Sequence, residues 1–420
     1  MNKGNQVSNL TETFSSNAAV ASVKTEAKST GIRIDGFVVL VALIGLGLLG
    51  TLIYLETAPF LVGLFFLGGL LGVALYHGAF GFTAGWRNLI VKKESAGLRA
   101  QLILIALASL LMVPVLGSGQ PGMVGAVAPV GLSLIVGSFL FGLGMQLGGG
   151  CGSGTLFTVG AGNLRMTVTL IFFIIGSLVG TFHLPWWLDL PGTDPISLIS
   201  GFGVTGALIV QGFALLAVYL WIRKIEQKSH GHVSHADIQF RPGEKGWGAT
   251  LLTGRWPFMW AVLVLAVGNL LTLLISGSPW SITFAFGLWG AKVAQAFGMD
   301  LSQYEFWTWD FPAQALRDSV LVNVTSVMNF GLLLGAMLAA GLANNFNATG
   351  KNPPQLKPFL AAIIGGLLMG YGARLGFGCN VGAFFSGIAS ASLHGWIWFA
   401  SAFLGSIIGV KLRPKFGLPD

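Results

Sequence analysis

The chain has 420 residues, 54% of them hydrophobic and only 9% charged, far below the roughly one-quarter charge of a soluble domain; a soluble protein is excluded and a polytopic, all-α membrane protein is expected. The net charge of +8 reads as basic loops on one side of a lipid bilayer and attraction to anionic lipid. No compact basic and aromatic domain stands outside the apolar runs, so nucleic acid is excluded as a partner, and two cysteines far apart exclude a disulfide framework and a zinc ribbon.

Residues 1–35 form a polar tail without the apolar core of a signal peptide, and disorder is expected there. Apolar runs long enough to cross a bilayer follow at about 36–55, 60–79, 100–116, 131–147, 166–184 and 198–222, a first membrane half over 36–222. Arg87, Lys92, Lys93 and Arg99 put the loop after the second run on the side of the N-terminus, while acidic "LDLPGTDP" at 188–195 falls on the other. The long polar connection 223–256 carries six Lys and Arg residues and is expected in the cytoplasm. Its His230, His232 and His235 lack a carboxylate or cysteine at ligand spacing, so they read as a solvated loop and not as a metal site. The second half, 257–420, has runs at 257–276, 281–298, 320–342, 358–375 and 394–411. Eleven full crossings from a cytoplasmic start would leave the basic tail "KLRPKFGLPD" outside. One run, in the 257–298 region, is therefore expected to be partial. Tryptophans 186, 187, 280, 307, 309, 396 and 398 read as an interfacial belt.

The chain repeats itself. "LFGLGMQLGGGCGSGTLF" (140–157) lies on "LMGYGARLGFGCNVGAFF" (368–385) without a gap, in a shared GxGxxLGxGCxxGxxF frame. "GSLVG" (176–180) meets "GSIIG" (405–409), and "AGWRN" (84–88) meets "QALRD" (314–318), pairing Arg87 with Arg317. Two pseudo-symmetric halves are expected. With one crossing fewer than eleven their topology is inverted, the common transporter arrangement; with eleven it is parallel.

Each frame carries one of the two cysteines. A Gly-x-Gly-Cys-x-x-Gly run after an apolar stretch reads as a helix that breaks and re-enters as a half-helix, with free N–H groups at its start suited to an anion. The residues assigned to this path are Gly150, Cys151 and Gly152 in the first loop, and Gly378, Cys379 and Asn380 in the second. A thiol is a small, polarizable, weak donor, which suits a sulfur-bearing anion whose terminal sulfur is large and soft. A single such cysteine would read as filler of a tight helix crossing; two at matching positions favour the path. Arg87, Arg165, Arg317 and Arg374 are candidates for drawing anions in, with interface anchoring as the other reading of Arg87 and Arg374. No catalytic residue, metal or cofactor is assigned, and "GGGCGSGT" lacks the lysine of a P-loop.

The paired Gly–Cys loops, "FTAGWRN", "ALRD" and the length resemble the YeeE/YedE family of bacterial inner-membrane proteins, associated with transport of thiosulfate and other sulfur-containing ions. The resemblance implies an hourglass-like body with re-entrant loops meeting at a constriction, where thiols of Cys151 and Cys379 hand thiosulfate inward. It also implies partners of the TusA-like sulfur-carrier or rhodanese kind. Thiosulfate-importing relatives have a third central cysteine; here that place holds Gly81, with Phe311 as its counterpart, so another sulfur or selenium species also fits. Rival readings are a membrane thiol-redox or persulfide-relay protein and a structural subunit without transport.

Overall fold

Long apolar runs in lipid must satisfy their backbone internally, which favours helices. In the computed structural model, which describes residues 33–242, 246–347 and 355–419, helices dominate and no strand occurs among the described residues, only isolated bridges. In chain order the helices are α1 (Gly36–Glu56), α2 (Pro59–His77), α3 (Phe82–Lys92), α4 (Ala96–Gly117), α5 (Leu132–Gly148), α6 (Gly152–Gly160), α7 (Leu164–Leu188), α8 (Leu198–His230), α9 (Gly246–Thr253), α10 (Phe258–Ser276), α11 (Thr283–Ala296), α12 (Asp310–Arg317), α13 (Val324–Leu342), α14 (Leu356–Leu375), α15 (Ser386–Ala389) and α16 (Leu393–Leu412). The tail expected to be disordered lies, through residue 32, outside the described residues; those from Arg33 on form one compact unit.

Ten helical stretches among the described residues are long and apolar enough to cross a bilayer. Of the eleven apolar runs, one in the 257–298 region was expected to be partial, and ten qualify as full crossings. The run expected at 281–298 is the 14-residue α11, about 21 Å at 1.5 Å per residue, short of the ~30 Å hydrocarbon core. Residues leading into it fold back along α10: Trp280 N–H donates to Asn269 Oδ1 at 2.8 Å, and Asn329 Nδ2 of α13 donates to Ile282 O at 3.0 Å. Helix starts use side-chain caps where the chain offers them, as Asp35 for α1, Asn163 for α7 and Asn323 for α13.

The connection between α8 and α10 defines a linker end. There His230 bonds Lys92 O at 2.8 Å, and Trp256 N–H donates to His77 O at 2.9 Å. At the far end Val124 N–H donates to Gly277 O, and Thr193 N–H to Val130 O, both at 2.8 Å. α8 runs to His230, eight residues past the expected boundary at 222, with a non-helical Gly203 inside it.

Glycines set the helix crossings. A β-carbon on Gly142 of α5 would sit 1.9 Å from Ala402 O of α16, and one on Gly370 of α14 would sit 2.2 Å from Phe173 O of α7. Likewise Gly405 of α16 faces Phe139 O at 2.1 Å, and Gly176 of α7 faces Leu367 O at 2.4 Å. Residues 142 and 370, like 139 and 367, differ by 228, and 173 and 402, like 176 and 405, by 229, within the offset of the sequence repeat. The α2–α13 crossing is equally close, with Gly331 against Phe65 O and Gly335 against Gly69 O, both at 2.0 Å. Such crossings bring backbones together in lipid, where van der Waals contact drives association. Gly142→Leu is expected to destabilise the protein by at least about 3 kcal/mol, because the obstacle is a carbonyl that cannot rotate away. Gly47→Leu, on an open face of α1, is expected to melt like the parent in detergent; equal melting of both variants would refute the crossing argument.

Three belt tryptophans are corrected by the structure. Trp280, Trp307 and Trp398 are 1%, 2% and 0% exposed. Their large apolar rings pack in the interior; Trp307 Nε1 donates to Thr181 Oγ1 at 3.1 Å, whereas the indole N–H groups of Trp280 and Trp398 are buried without a partner. Trp186, 59% exposed, remains at the surface.

Candidate functional site

Both cysteines stand where a crossing helix breaks. After α5, Gly149 takes a left-handed φ of 96° and Cys151 becomes the N-cap of α6. Cys151 Sγ accepts the Gly154 N–H at 3.5 Å and lies 3.4 Å from Ser153 Oγ. Its carbonyl accepts from the Thr155 N–H and hydroxyl, each at 2.8 Å. After α14, Gly378 has φ 152°, and a β-carbon there would lie 2.8 Å from Ala383 N, so only glycine makes the turn. Cys379 then heads a turn of π-helix, Asn380–Phe385, which runs into α15. Its carbonyl accepts the Ala383 N–H at 2.8 Å.

The two loops meet. A β-carbon on Gly152 would sit 2.9 Å from Cys379 Sγ and 3.4 Å from Ile282 Cγ2. The second thiol therefore rests against the backbone just after the first cysteine, with the residue heading α11 alongside. Both thiols are free and buried, at 1% and 0% exposure. Gly150 is equally confined, its missing β-carbon 2.9 Å from Met166 Cε.

Buried polar side-chain atoms without a partner occur on the cysteine loop after α14, on α5 and on α3, as well as elsewhere, for example at His77 and Gln211. Asn380, fully buried, has neither Oδ1 nor Nδ2 hydrogen-bonded. Thr83 Oγ1 at the start of α3 and Gln146 Oε1 near the end of α5 are also buried without a partner, and Gln146 Nε2 donates to Thr83 O at 3.4 Å. A buried polar group left unpaired costs about 1–3 kcal/mol and is rare in native proteins. Side-chain caps are absent at the starts of α3 and α11, headed by Gly81 and Ile282, which leaves their first N–H groups as donors.

The arginines fall into different settings. Arg374 is half-buried, and no carboxylate forms an ion pair with it among the described residues. One of its terminal nitrogens donates to Ser177 Oγ at 3.3 Å and Thr283 O at 3.4 Å, its Nε has no partner, and its guanidinium lies over Phe306 and Phe284 at 5.2 and 5.7 Å from the ring centres. Arg165 donates to Leu147 O at 2.6 Å and Pro358 O at 3.1 Å, closing the end of α5 against α14. Arg87 is half-buried on α3, and Arg317 is exposed at the end of α12. Phe311, expected opposite Gly81, is 62% exposed and lies against Phe284. Ile282 Cγ2 stands at the cysteine loops, 3.4 Å from where a Gly152 β-carbon would sit, and the excursion 297–323 lies between α11 and α13. Sequence reasoning missed Ile282 and Thr83; a buried-apolar position and a lone threonine carry no pattern of their own.

Two cavities lie on elements described above, one at the linker end and one at the far end. The linker-end cavity, about 420 Å³, is lined by Gly81, Asn88, Gln101, Glu226, His230 and His232 among others. The far-end cavity, about 570 Å³, is lined by Ser133, Trp187, Thr193, Asp194 and Phe377 among others.

The sequence profile of the family described as "Sulphur transport" matches residues 77–408, which includes both cysteine loops. The chain is 36% identical over 166 residues to "Probable transporter YedE" of Escherichia coli K12, covering 38% of this chain and 40% of that protein's length. It is 27% identical over 340 residues to "Thiosulfate transporter TsuA" of Spirochaeta thermophila, covering 79% of this chain and 92% of that protein, and 26% identical over 343 residues to the E. coli protein of the same name, covering 80% and 90%. With the profile spanning most of the chain and ten helices among the described residues long and apolar enough to cross a bilayer, this multi-pass membrane protein belongs to the sulphur-transport family, as its YeeE/YedE-like motifs suggested.

Proposed function

We propose that the protein carries a sulfur-containing anion, thiosulfate foremost, inward across the bacterial inner membrane through a constriction between Cys151 and Cys379. The observation that carries this reading is the fully buried Asn380, without a partner at either polar atom, next to a thiol that abuts the loop of the only other cysteine. A ligand with acceptor atoms satisfies the Asn380 Nδ2–H and the S–H groups, and helix N-termini supply further donors. Thiosulfate fits such a site: its oxygens accept strong hydrogen bonds and its terminal sulfur accepts weak ones. Two relatives over most of this chain's length bear the name of a thiosulfate transporter, which supports the cargo.

The halves, 36–222 and 257–420, are read as inverted repeats: α2, α3, α4, α5, α6 and α7 correspond to α10, α11, α13, α14, the Asn380–Ala389 segment and α16. In support, α5 packs on α16 as α7 packs on α14, with glycines at the equivalent positions described above. The loops after α5 and α14 then re-enter from opposite faces and meet midway. The linker 223–256, with its basic residues, faces the cytoplasm, where a TusA-like carrier or rhodanese would receive the anion. Arg374, Arg87, Arg165 and Arg317 add positive potential along the approach.

The test is growth of a bacterium lacking its sulfate and thiosulfate importers, with thiosulfate as sole sulfur source. The protein is expected to restore growth and labelled-thiosulfate uptake, with excess sulfate competing poorly. Absence of rescue by membrane-inserted protein would refute thiosulfate as cargo.

A further inference from the structure

The far-end cavity ends at a residue in an unusual conformation. Phe377 has φ 57°, in the left-handed region that non-glycine residues rarely adopt. It is followed by Gly378 at φ 152° and then by Cys379. Phe377 forms part of the wall of the ~570 Å³ cavity and on its other side packs against the main hydrophobic core. The turn that carries it is pinned back on α14, with Gly378 N–H donating to Ala373 O at 2.9 Å and Ser133 Oγ donating to Leu375 O at 2.8 Å. Phe377 is half-buried while Cys379, two residues on, is fully buried.

We propose that Phe377 is the far-end gate of the anion path: the far-end cavity is the vestibule that receives the anion, and the Phe377 ring closes it off from Cys379. This rests on the reading of the cysteine loops as the path. An aromatic ring is suited to the task. It excludes water and strongly hydrated anions such as sulfate, while a weakly hydrated terminal sulfur tolerates an apolar contact. The strained backbone keeps two conformations close in energy, since leaving the left-handed region relieves the strain that the pinned turn imposes.

Cys379 reports the gate directly. In full-length protein carrying Cys151→Ser, reconstituted in lipid nanodiscs with both faces accessible, Cys379 is the single thiol. Its reaction with a negatively charged methanethiosulfonate is followed by intact-mass spectrometry. With Phe377 present the reaction is expected to be slow. Phe377→Ala is expected to accelerate it at least about tenfold, equivalent to roughly 1.4 kcal/mol in the free energy of opening, and saturating thiosulfate to slow it again. Should the alanine variant fail to fold, Phe377→Leu, with a smaller apolar side chain, is expected to give an intermediate acceleration. An unchanged rate in a monodisperse variant overturns the gate. Labelling needs no transport, so the two readings fail separately. Rescue of growth on thiosulfate with unchanged labelling refutes the gate alone. Accelerated labelling without rescue upholds the gate and refutes the cargo.

Discussion

Cys379→Ala is expected to lower thiosulfate uptake by roughly ten- to a hundredfold, because a hydrogen bond to a charged ligand contributes about 1.5–3 kcal/mol in a site closed to water. Cys151→Ala is expected to do the same to a smaller extent, since Cys151 Sγ already accepts the Gly154 N–H and sits beside Ser153 Oγ, and that neighbouring hydroxyl is able to take over part of its role. Serine separates two mechanisms. If donation to the anion is what the thiol supplies, Cys379→Ser keeps most of the uptake, its hydroxyl being a better donor on a shorter arm. If sulfur exchange through a persulfide is required, serine is as inactive as alanine. The double alanine variant is expected to lose less than the product of the single losses, because both groups touch one ligand. Uptake of radiolabelled thiosulfate into cells with matched membrane expression measures all four. Wild-type rates in both alanine variants would remove the thiols from the mechanism.

Arg99→Ala is expected to cost about 3–5 kcal/mol of stability, the usual penalty for leaving buried charge uncompensated. Arg99 at the start of α4 is 1% exposed. Its guanidinium donates to Ser95 Oγ at 2.9 Å, Tyr219 Oη at 3.2 Å, Asp237 Oδ2 at 2.8 Å, Glu226 Oε2 at 3.3 Å and the Ser234 carbonyl. Glu226 is also held by Ser95 Oγ at 2.5 Å and the Ser234 N–H at 3.2 Å. This cluster ties the segment after α8 to α4, so the linker near residues 234–237 is fixed and not a loose solvated loop. Removal of the arginine leaves two buried carboxylates facing each other. Thermal unfolding in detergent should drop well below the parent, and limited proteolysis between 231 and 242 should quicken. Arg99→Lys should recover only part, because one ammonium lacks the planar fork that reaches both carboxylates. Restoration of stability by adding Glu226→Gln and Asp237→Asn to Arg99→Ala would confirm that the loss is electrostatic; an unshifted melt for Arg99→Ala would refute it.

Much of the geometry of the cysteine loops was legible because its signal lies in the local sequence. Two cysteines in matching glycine frames specify breaks, and both breaks occur where expected. The partial crossing in the 257–298 region was legible from charge alone, since the basic tail required an even count. Its exact identity was not: an apolar run of 18 residues looks the same whether it crosses or turns back from an extended lead-in. The tryptophans misled for a related reason. An indole suits an interface and a core equally, and only packing tells Trp280 from Trp186. The Arg99 cluster was invisible, because Glu226 and Asp237 are 127 and 138 residues away in sequence. Arg374 was flagged as a costly charge in an apolar run, but its aromatic neighbours Phe284 and Phe306 come from α11 and the excursion after it, far from Arg374 in sequence.

The glycine crossings bear on how the molecule moves. Where backbones touch directly, one helix is unable to slide or roll on its neighbour without driving a carbonyl into a Cα. α5 and α14 lie together in this way as well, with the missing β-carbon of Gly144 2.8 Å from Gly365 O and that of Gly372 2.5 Å from Gly137 O. These contacts link α5, α7, α14 and α16 into a stiff frame around the two cysteines. A carrier that rocks its halves past each other needs a deformable seam, and backbone packed on backbone is not one. Motion is left to the loops the frame suspends, over distances of a side chain. On the proposed reading of the cysteine loops as the path, the protein works like a turnstile set in masonry: the walls stay still, and only a few small parts turn.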